Sequence, residues 1–285
     1  MGSEASIVDY YNQTHLGYRL FWALDTTFSM HYGLHDAEHR SHVAAVLNLV
    51  RFLSTTARIG AADEVLDVGC GFGGSAVWLA KNLGCRVTGI DINRHEVARA
   101  REHARVSGVE DRVRFIEMDY REMDRLEAAA FSVVWQIETL IYADRRKFAV
   151  DAFRLLRPGG RLAVADYFAR PGTYAPQERR TLDRWVRGWA GNDLVCGDTF
   201  AGYLADAGFD TIVFHDKSAG VLPSSRRMKT VCTVTAPLGR VLETVGLRTR
   251  LQTENSIGAV LQYDALRRGL WIYGIVSAER RSSDV

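Results

Sequence analysis

The stretch Val65-Leu-Asp-Val-Gly-Cys-Gly-Phe-Gly-Gly74 decides how the rest of this chain is interpreted. Its first four residues form a short apolar, β-branched run that contains one acid, which predicts a strand. Residues 75–83 have helical spacing and are followed by Gly84, which predicts a helix and its end. The glycines between them lack a Cβ, so the backbone can turn tightly and present its N–H groups to a ligand.

The glycine spacing is compatible with more than one nucleoside ligand. Gly69, Gly71 and Gly74 satisfy the pattern G-x-G-x-x-G, and Asp91 follows about twenty residues later, as dinucleotide binding requires. This pattern alone has low specificity. A dinucleotide-binding oxidoreductase is therefore one interpretation of the chain.

Further features separate the chain from that class. Asp67 lies two residues before the first glycine, Cys70 lies between glycines, and Asp119 ends a third predicted strand. The segment L-L-R-P-G-G-x-L at residues 155–162 precedes a fifth strand. Taken together, the series resembles class I S-adenosylmethionine-dependent methyltransferases.

The resemblance implies a cofactor, S-adenosylmethionine, and a site for it. In that family the glycine loop carries the methionine part, the acid ending the second strand holds the ribose hydroxyls, and the next acidic loop meets the adenine amine. A carboxylate that accepts two hydroxyl hydrogen bonds suits a ribose. The implied cofactor-binding residues are Phe28, Ser29, Gly69, Cys70, Gly71, Gly73, Asp91, Ile92, Asn93, Asp119, Tyr120 and Gln136.

The predicted fold class is α/β, a Rossmann-like class I methyltransferase sheet with helices on both faces. Alternation of strands and helices indicates a parallel sheet. We expect an N-terminal helical cap at 1–60 and a core at 61–285, with substrate-lid inserts at about 167–198 and 221–262. Predicted strands lie at 65–68, 86–90, 113–118, 131–136, 161–166, 211–215 and 270–277, and predicted helices at 75–83, 94–106, 144–156 and 200–207.

Composition bounds the other function classes. The 285 residues are 47% hydrophobic and carry a net charge of +2, from 36 basic and 34 acidic residues, so any charge preference must be local. Nucleic acid is not expected as a partner, and no apolar run reaches the ~18 residues of a membrane span. Four cysteines without close spacing fit a reducing cytoplasm. A small-molecule substrate and a homodimer are compatible with the chain.

The N-terminal cap carries its own resemblance. Tyr11-Asn-x-Thr, Arg19-Leu-Phe21 and Phe28-Ser29 resemble the lid of cyclopropane fatty acid and mycolic acid synthases and of sterol and tocopherol C-methyltransferases. The resemblance implies that Phe28 and Ser29 touch the cofactor. Tyr11 and His31 are catalytic candidates, although such aromatic residues also commonly pack a cap on its core.

Several histidines follow in the cap, at 31, 35, 39 and 42. Histidines at i and i+4 share a helix face and can bind a metal. Gly33 interrupts that helix pattern, and Asp36 and Glu38 are the only acids nearby. No metal site is predicted.

Glu138 is the predicted catalytic acid. The fourth strand ends in Trp135-Gln-Ile-Glu-Thr139, and ligands of open α/β sheets bind beyond the carboxyl ends of strands. The position matches the acid after the fourth strand of sterol, tocopherol and geranyl diphosphate methyltransferases. An alkene that attacks a methyl donor becomes a carbocation and must lose a proton to a base. The alternative is a structural acid bonded to backbone or cap.

Substrate-binding residues are predicted on the two inserts. Aromatic side chains fall in the first and cations in the second: Tyr167, Phe168, Trp185, Trp189, Arg226 and Arg227. Helix-face packing is the alternative for the tryptophans, and a solvated surface is the alternative for the arginines. Asp166-Tyr167 stands where cyclopropane synthases have a histidine after the fifth strand, which argues against cyclopropanation.

The sequence thus predicts C-methylation of an isoprenoid, for which a prenyl diphosphate is one candidate, with Glu138 as base. O- or N-methylation of a small secondary metabolite is the enzymatic alternative. A cofactor-binding subunit without turnover is an alternative of another class.

Overall fold

A computed structural model describes residues 24–282 of the chain. The N-terminal motifs that contain Tyr11 and Arg19 lie outside these residues, so the catalytic prediction for Tyr11 stays a prediction. Within the described part, the sequence folds into one sheet of seven strands with helices on both faces, which confirms the predicted fold class.

The strands occupy the order β3-β2-β1-β4-β5-β7-β6. The first five pair in parallel, and β7 pairs antiparallel with both β5 and β6. The strands are β1 (Glu64–Val68), β2 (Arg86–Asp91), β3 (Val113–Glu117), β4 (Phe131–Ile137), β5 (Leu156–Ala169), β6 (Phe209–Asp216) and β7 (Trp271–Arg280).

The helices begin and end close to the residues that local sequence indicates. Ser41 accepts a hydrogen bond from the N–H of Ala44 at the start of α2, and Asn93 caps α4 in the same way. The helices are α1 (Leu24–Thr27), α2 (His42–Thr56), α3 (Gly74–Leu83), α4 (Arg94–Val106), α5 (Arg145–Leu155), α6 (Pro176–Gly188), α7 (Gly197–Ala207), α8 (Ser218–Thr244) and α9 (Arg250–Arg267), with 3-10 turns at Tyr120–Arg125 and Leu140–Tyr142.

Several predicted boundaries are wrong. α2 ends at Thr56 rather than at Gly60, and residues 28–41 are not helical. α7 begins at Gly197, three residues before the predicted start at residue 200. β5 starts at Leu156 and runs to Ala169, so its pairing with the long strand β7 extends it through the predicted insert boundary.

The sheet separates two apolar clusters because neighbouring strand residues point to opposite faces. Trp135 packs in the cluster under α2, α3 and α9, while Val134 packs in the cluster under α5 and α7. Helices α8 and α9 form a hairpin that joins the first cluster. A Cβ on Gly258 of α9 would lie 2.9 Å from Trp189 Cδ1, so this glycine lets the hairpin approach the end of α6 closely.

No helix among residues 24–282 is both long and apolar enough to cross a membrane.

Candidate active site

A cavity lies where the carboxyl ends of β1, β2 and β4 meet the segment before α2. The space between its walls, including the solvent at its open mouth, is about 920 Å³. Eleven residues predicted from the sequence line it: Phe28, Ser29, His31, Gly69, Cys70, Gly71, Asp91, Ile92, Asp119, Tyr120 and Glu138.

The glycine loop needs its glycines for two physical reasons. Gly69 has a φ of +76°, and a Cβ on it would lie 2.5 Å from Cγ2 of Thr139. Gly73 has a φ of +77°, and a Cβ on it would lie 2.6 Å from Phe115. Gly73 packs the start of α3 on the sheet and does not line the cavity, unlike Gly69 and Gly71.

Asp91 holds this loop in place. Its Oδ2 accepts a hydrogen bond from the N–H of Gly71 at 3.0 Å, and its Oδ1 accepts one from the N–H of Asn93 at 2.8 Å. Burial raises the pKa of the Asp91 carboxyl, and these backbone hydrogen bonds oppose that rise. The end of β2 therefore presents a half-buried acid to whatever fills the cavity.

Asp67 and Glu96 are buried acids that also line the cavity. Burial, reinforced by the nearby Asp91, raises the pKa of Asp67 to about 8, and burial raises that of Glu96 well above its ordinary value. Asp67 Oδ2 is buried without a hydrogen-bond partner among the described residues. Buried polar atoms normally have partners, so this oxygen fits a ligand that brings a cation or a donor.

The segment before α2 closes one side of the cavity. The N–H of Gly74 donates to the carbonyl of Phe28 at 3.0 Å, and the Phe28 ring stacks on His103 with centroids 3.7 Å apart. A Cβ on Gly74 would lie 2.2 Å from Ser29 Oγ. Phe28 and Ser29 are thus pressed onto the start of α3, at the wall of the cavity.

Besides Gly73, two predicted cofactor residues do not line the cavity, Gln136 and Asn93. The amide nitrogen of Gln136 donates to Thr139 Oγ1 and to Asp166 Oδ2, both at 2.8 Å. Asn93 Nδ2 donates to Glu96 Oε1 at 3.1 Å. Both residues therefore support cavity-lining neighbours. Asp119 lines the cavity and is bound by Arg121, whose Nε donates to Oδ2 at 2.7 Å.

Glu138 lies at the wall of the cavity with its backbone at a φ of +56°. Its Oε1 accepts hydrogen bonds from the N–H of Tyr32 and the hydroxyl of Tyr273, both at 2.8 Å, and its Oε2 accepts one from the hydroxyl of Tyr167. Burial raises its pKa to about 8, while the three donors act in the opposite direction. Glu138 is consequently an acid that gains and loses a proton near neutral pH.

His31 lines the same end of the cavity. Its Nδ1 lies 2.9 Å from the carbonyl oxygen of Tyr32, which can only accept, so Nδ1 carries the proton. Burial lowers the pKa of His31 to about 4, which keeps the ring neutral. Nε2 is buried and has no hydrogen-bond partner among the described residues. It is therefore a free proton acceptor.

The predicted aromatic substrate residues lie behind Glu138. Tyr167 packs edge-on against Trp185 at 5.8 Å and Trp189 at 6.0 Å between ring centroids. All three are buried and form a layer behind the cavity wall. Phe168 points to the opposite face of the sheet, where it contacts Phe200 and Phe214, so the prediction that it binds substrate is wrong.

The predicted anion-binding arginines lie away from the cavity. Arg226 is exposed on α8, and its Nε donates to the Tyr263 hydroxyl at 3.3 Å. Arg227 is half-buried on the same helix. Neither lines the cavity, so the structure gives no support to a diphosphate clamp there.

Several residues that line the cavity have no predicted role. Asp67 belongs to the glycine motif, and its position two residues before the first glycine is a sequence signal for this site. The others come from a loop, a helix start or a strand end without a distinctive motif: Met30, Phe72, Ser75, Glu96, Arg121, Ile137, Thr139 and Tyr142.

Residues 65–160 match a family model described as a methyltransferase domain. A 27-O-demethylrifamycin SV methyltransferase from Amycolatopsis mediterranei is 34% identical over 201 residues, which cover 69% of this chain and 72% of the relative. The chain belongs to the class I S-adenosylmethionine-dependent methyltransferases.

Other members of this family show how broad the likeness is. The chain matches 59% of the length of the methyltransferase GfsG of Streptomyces halstedii, at 34% identity over 58% of this chain. It matches 53% of the length of the yeast sterol 24-C-methyltransferase ERG6, at 31% identity over 73% of this chain. The geranyl diphosphate C-methyltransferase of Streptomyces coelicolor A3(2) superposes with a TM-score of 0.75 at 19% identity, over 98% of each chain, which shows a shared fold.

S-adenosylmethionine, the cofactor of this methyltransferase family, fits the cavity on three observations. Asp67 has an unpartnered oxygen suited to an ammonium group, Asp91 offers a half-buried carboxylate for hydroxyls, and the glycine loop leaves room for close approach. The cofactor supplies an electrophilic methyl group.

Proposed function

We propose that this chain methylates an alkene carbon of an isoprenoid, with Glu138 accepting the proton that the substrate then loses. The observation that carries the proposal is the place of Glu138: a carboxylate at the cavity wall whose pKa lies near 8. A base poised near the working pH transfers protons efficiently. The 31% identity to a sterol 24-C-methyltransferase supports transfer to carbon.

The bonds balance in this reaction. The π electron pair of the alkene forms the new carbon–carbon bond as the methyl–sulfur bond breaks. The electron pair of the broken bond stays on sulfur. The substrate is left as a carbocation. Glu138 then takes a proton from the carbon beside the cation, and the C–H pair becomes a new double bond.

Aromatic faces in the cavity wall suit such a cation. Phe28, Phe72, Tyr120 and Tyr142 line the cavity, and an aromatic face attracts a cation within about 6 Å. Burial of the substrate in the cavity would also exclude water, which would otherwise add to the cation.

The charge of the cavity favours an isoprenoid without a diphosphate at this site. Five carboxyl side chains line it: Asp67, Asp91, Glu96, Asp119 and Glu138. Among the described residues that line it, Arg121 is the one permanent cation, and it binds Asp119. A diphosphate would therefore find no matching cluster of cations among these residues.

O- or N-methylation is the second candidate function, favoured by His31. Its Nε2 is a neutral, unpartnered acceptor at the cavity, suited to take a proton from a hydroxyl or an amine. The relative from Amycolatopsis mediterranei is named for O-methylation.

One incubation separates these candidates. The full chain is supplied with methyl-deuterated S-adenosylmethionine and a panel that includes a sterol, a prenyl alcohol, a prenyl diphosphate, a phenol and an amine. Mass spectrometry identifies the labelled product, and NMR locates the label. Label on an alkene-derived carbon of the sterol or prenyl alcohol is expected. Label on oxygen or nitrogen would instead support the second candidate function, in which His31 is the base. Cofactor binding without any labelled product would contradict both candidates.

A further inference from the structure

The far end of α8 exposes an unusual row of apolar side chains. Val234, Leu238, Val241 and Val245 are 73%, 61%, 59% and 61% exposed, and Leu247, just beyond the helix, is 76% exposed. We call these five residues the α8 stripe. They account for half of the ten large apolar side chains that are exposed among the described residues.

The α8 stripe is continuous along one side of the helix. Val234, Leu238, Val241 and Val245, the last of them just after the helix, are spaced by four, three and four residues, which places them within an arc of about 60° at 100° per residue. They span about 16 Å at the rise of an α-helix. No charged residue between Val234 and Val245 falls inside the arc. The row is therefore a contiguous apolar patch. Single exposed apolar residues scattered over a surface are common in proteins, whereas a contiguous patch is not.

The positive charge of the chain is concentrated on the same segment. Residues 218–250 contain six basic residues and one acid, Glu243, which gives a charge of +5. The whole chain carries +2, so the remaining residues carry −3. Arg226, Arg240 and Arg250 are exposed, and the first two lie to one side of the stripe, about 90° and 130° from its centre at 100° per residue. The arginines thus lie beside the apolar arc and not within it.

We propose that the α8 stripe docks on the surface of an anionic lipid bilayer, with its apolar side chains among the acyl chains and the flanking arginines at the phosphates. An amphipathic helix with a basic flank binds such an interface lying in its plane. No described helix can span a membrane, so the helix lies on the bilayer.

Charge decides between a bilayer and a second copy of this chain. Pairing two stripes would bring together two segments that each carry +5, whereas anionic head groups complement that charge. The other end of α8 also reaches the active site, because Ser224 Oγ accepts a hydrogen bond from the N–H of Gly33 at 3.0 Å. Docking would therefore place a membrane beside the helix that supports the cavity wall.

Vesicle flotation tests the proposal with the full chain. Vesicles of phosphatidylcholine alone are compared with vesicles that also contain phosphatidylglycerol, at low and high salt. We expect binding to the anionic vesicles that weakens with salt. Arg240→Gln is expected to weaken it about fivefold, and Leu238→Glu by about tenfold or more.

Val106→Glu is the matched control. Val106 is 71% exposed at the end of α4, outside the stripe, so this variant adds the same charge and keeps wild-type binding. Circular dichroism and cofactor affinity verify that each variant is folded. Absence of vesicle binding, or equal binding by Leu238→Glu, would overturn the proposal. A dimer seen by light scattering that Leu238→Glu dissociates, without vesicle binding, would assign the stripe to a second copy.

The proposal does not depend on the substrate. A chain that floats with anionic vesicles but methylates a phenol would retain the docking surface and lose the isoprenoid assignment.

Discussion

The backbone N–H of Tyr32 donates a hydrogen bond to Oε1 of Glu138 at 2.8 Å, joining two residues 106 positions apart. The carbonyl of the same residue accepts from Nδ1 of His31 at 2.9 Å. One residue of the N-terminal segment thereby fixes both groups that can accept a proton at the cavity. Glu138 and His31 are consequently coupled, and substitutions at the two positions are not expected to be additive.

Replacement of Glu138 by Gln tests the proposed base. Loss of a general base lowers turnover by about 10² to 10⁴ fold, and cofactor affinity is expected to change little because Gln has the same size. Single-turnover transfer of labelled methyl measures the first effect, and calorimetry measures the second. Glu117→Gln, at the exposed end of β3, is the control for loss of one carboxyl. Wild-type turnover in Glu138→Gln would show that Glu138 is a structural acid.

Tyr273→Phe is expected to move the pH profile of methylation. The hydroxyl of Tyr273 donates to Glu138 and favours its charged form, so removal of this donor raises the pKa of Glu138 from about 8. Because a base must be deprotonated, activity then rises only at a higher pH than in the wild type. Tyr174→Phe is the control, since its hydroxyl donates to the carbonyl of Leu270.

Other groups near Glu138 titrate at a different pH, so their effects on the pH profile can be distinguished from that of Glu138. Burial raises the pKa of Asp166 to about 6, and burial keeps the Tyr167 hydroxyl protonated to well above its ordinary pKa. A loss of activity in Tyr273→Phe without any change in the profile would indicate packing and not control of the carboxyl.

Asp67→Asn is expected to stabilise the cofactor-free protein at alkaline pH. The folded pKa of Asp67 is about 8 and the ordinary value is 3.8, so between these values the folded state holds a proton that the unfolded state has lost. Stability from this group is therefore lost as pH rises from about 4 to about 8. Replacement by Asn removes this loss, which raises the free energy of unfolding at alkaline pH by about 1 kcal/mol or more.

Urea unfolding at pH 5 and pH 8 measures this difference. The exposed Asp111→Asn serves as control, and the same variants are titrated with S-adenosylmethionine. Asp67→Asn should bind the cofactor about tenfold more weakly, as loss of one charged hydrogen bond predicts. An equal fall in stability with pH for wild type and Asp67→Asn would contradict the assignment.

Gly69→Ala is expected to destabilise the glycine loop. The new Cβ would lie 2.5 Å from Thr139 at a φ of +76°, which costs about 1 to 3 kcal/mol and moves the cavity wall. Gly202→Ala is the matched control, because a Cβ there meets nothing within 4 Å in helix α7 and should add about 0.5 to 1 kcal/mol. Thermal unfolding free energies and cofactor affinity test both. Unchanged values in Gly69→Ala would show that the loop relaxes freely.

The cofactor end of the site was largely predictable because its signals are local. A strand, a glycine turn and a helix lie within twenty residues, and Asp91 and Asp119 follow successive strands. Parallel strands deliver such ends to one edge of the sheet. Gln136 lies off the cavity because the last residues of a strand alternate between the cavity and the interior, so its role as a cofactor ligand stays a prediction.

The substrate end was less predictable because its contacts are distant in sequence. Tyr167 and Tyr273 meet at Glu138 only because β5 and β7 pair antiparallel with these two residues directly opposite. Because β5 continues through residue 169, the alternation of its side chains places Phe168 on the face opposite Tyr167. Neither feature has a local sequence signal.

The sequence by itself determined the α/β alternation, the glycine loop and the acids that follow the strands, since hydrophobic period and glycine placement act over a few residues. The tertiary structure alone decided which groups surround Glu138, that His31 keeps Nε2 unpartnered, and that the α8 stripe is exposed. Burial and long-range pairing set these properties: they raise the pKa of Glu138 and lower that of His31, and no short stretch of chain encodes either.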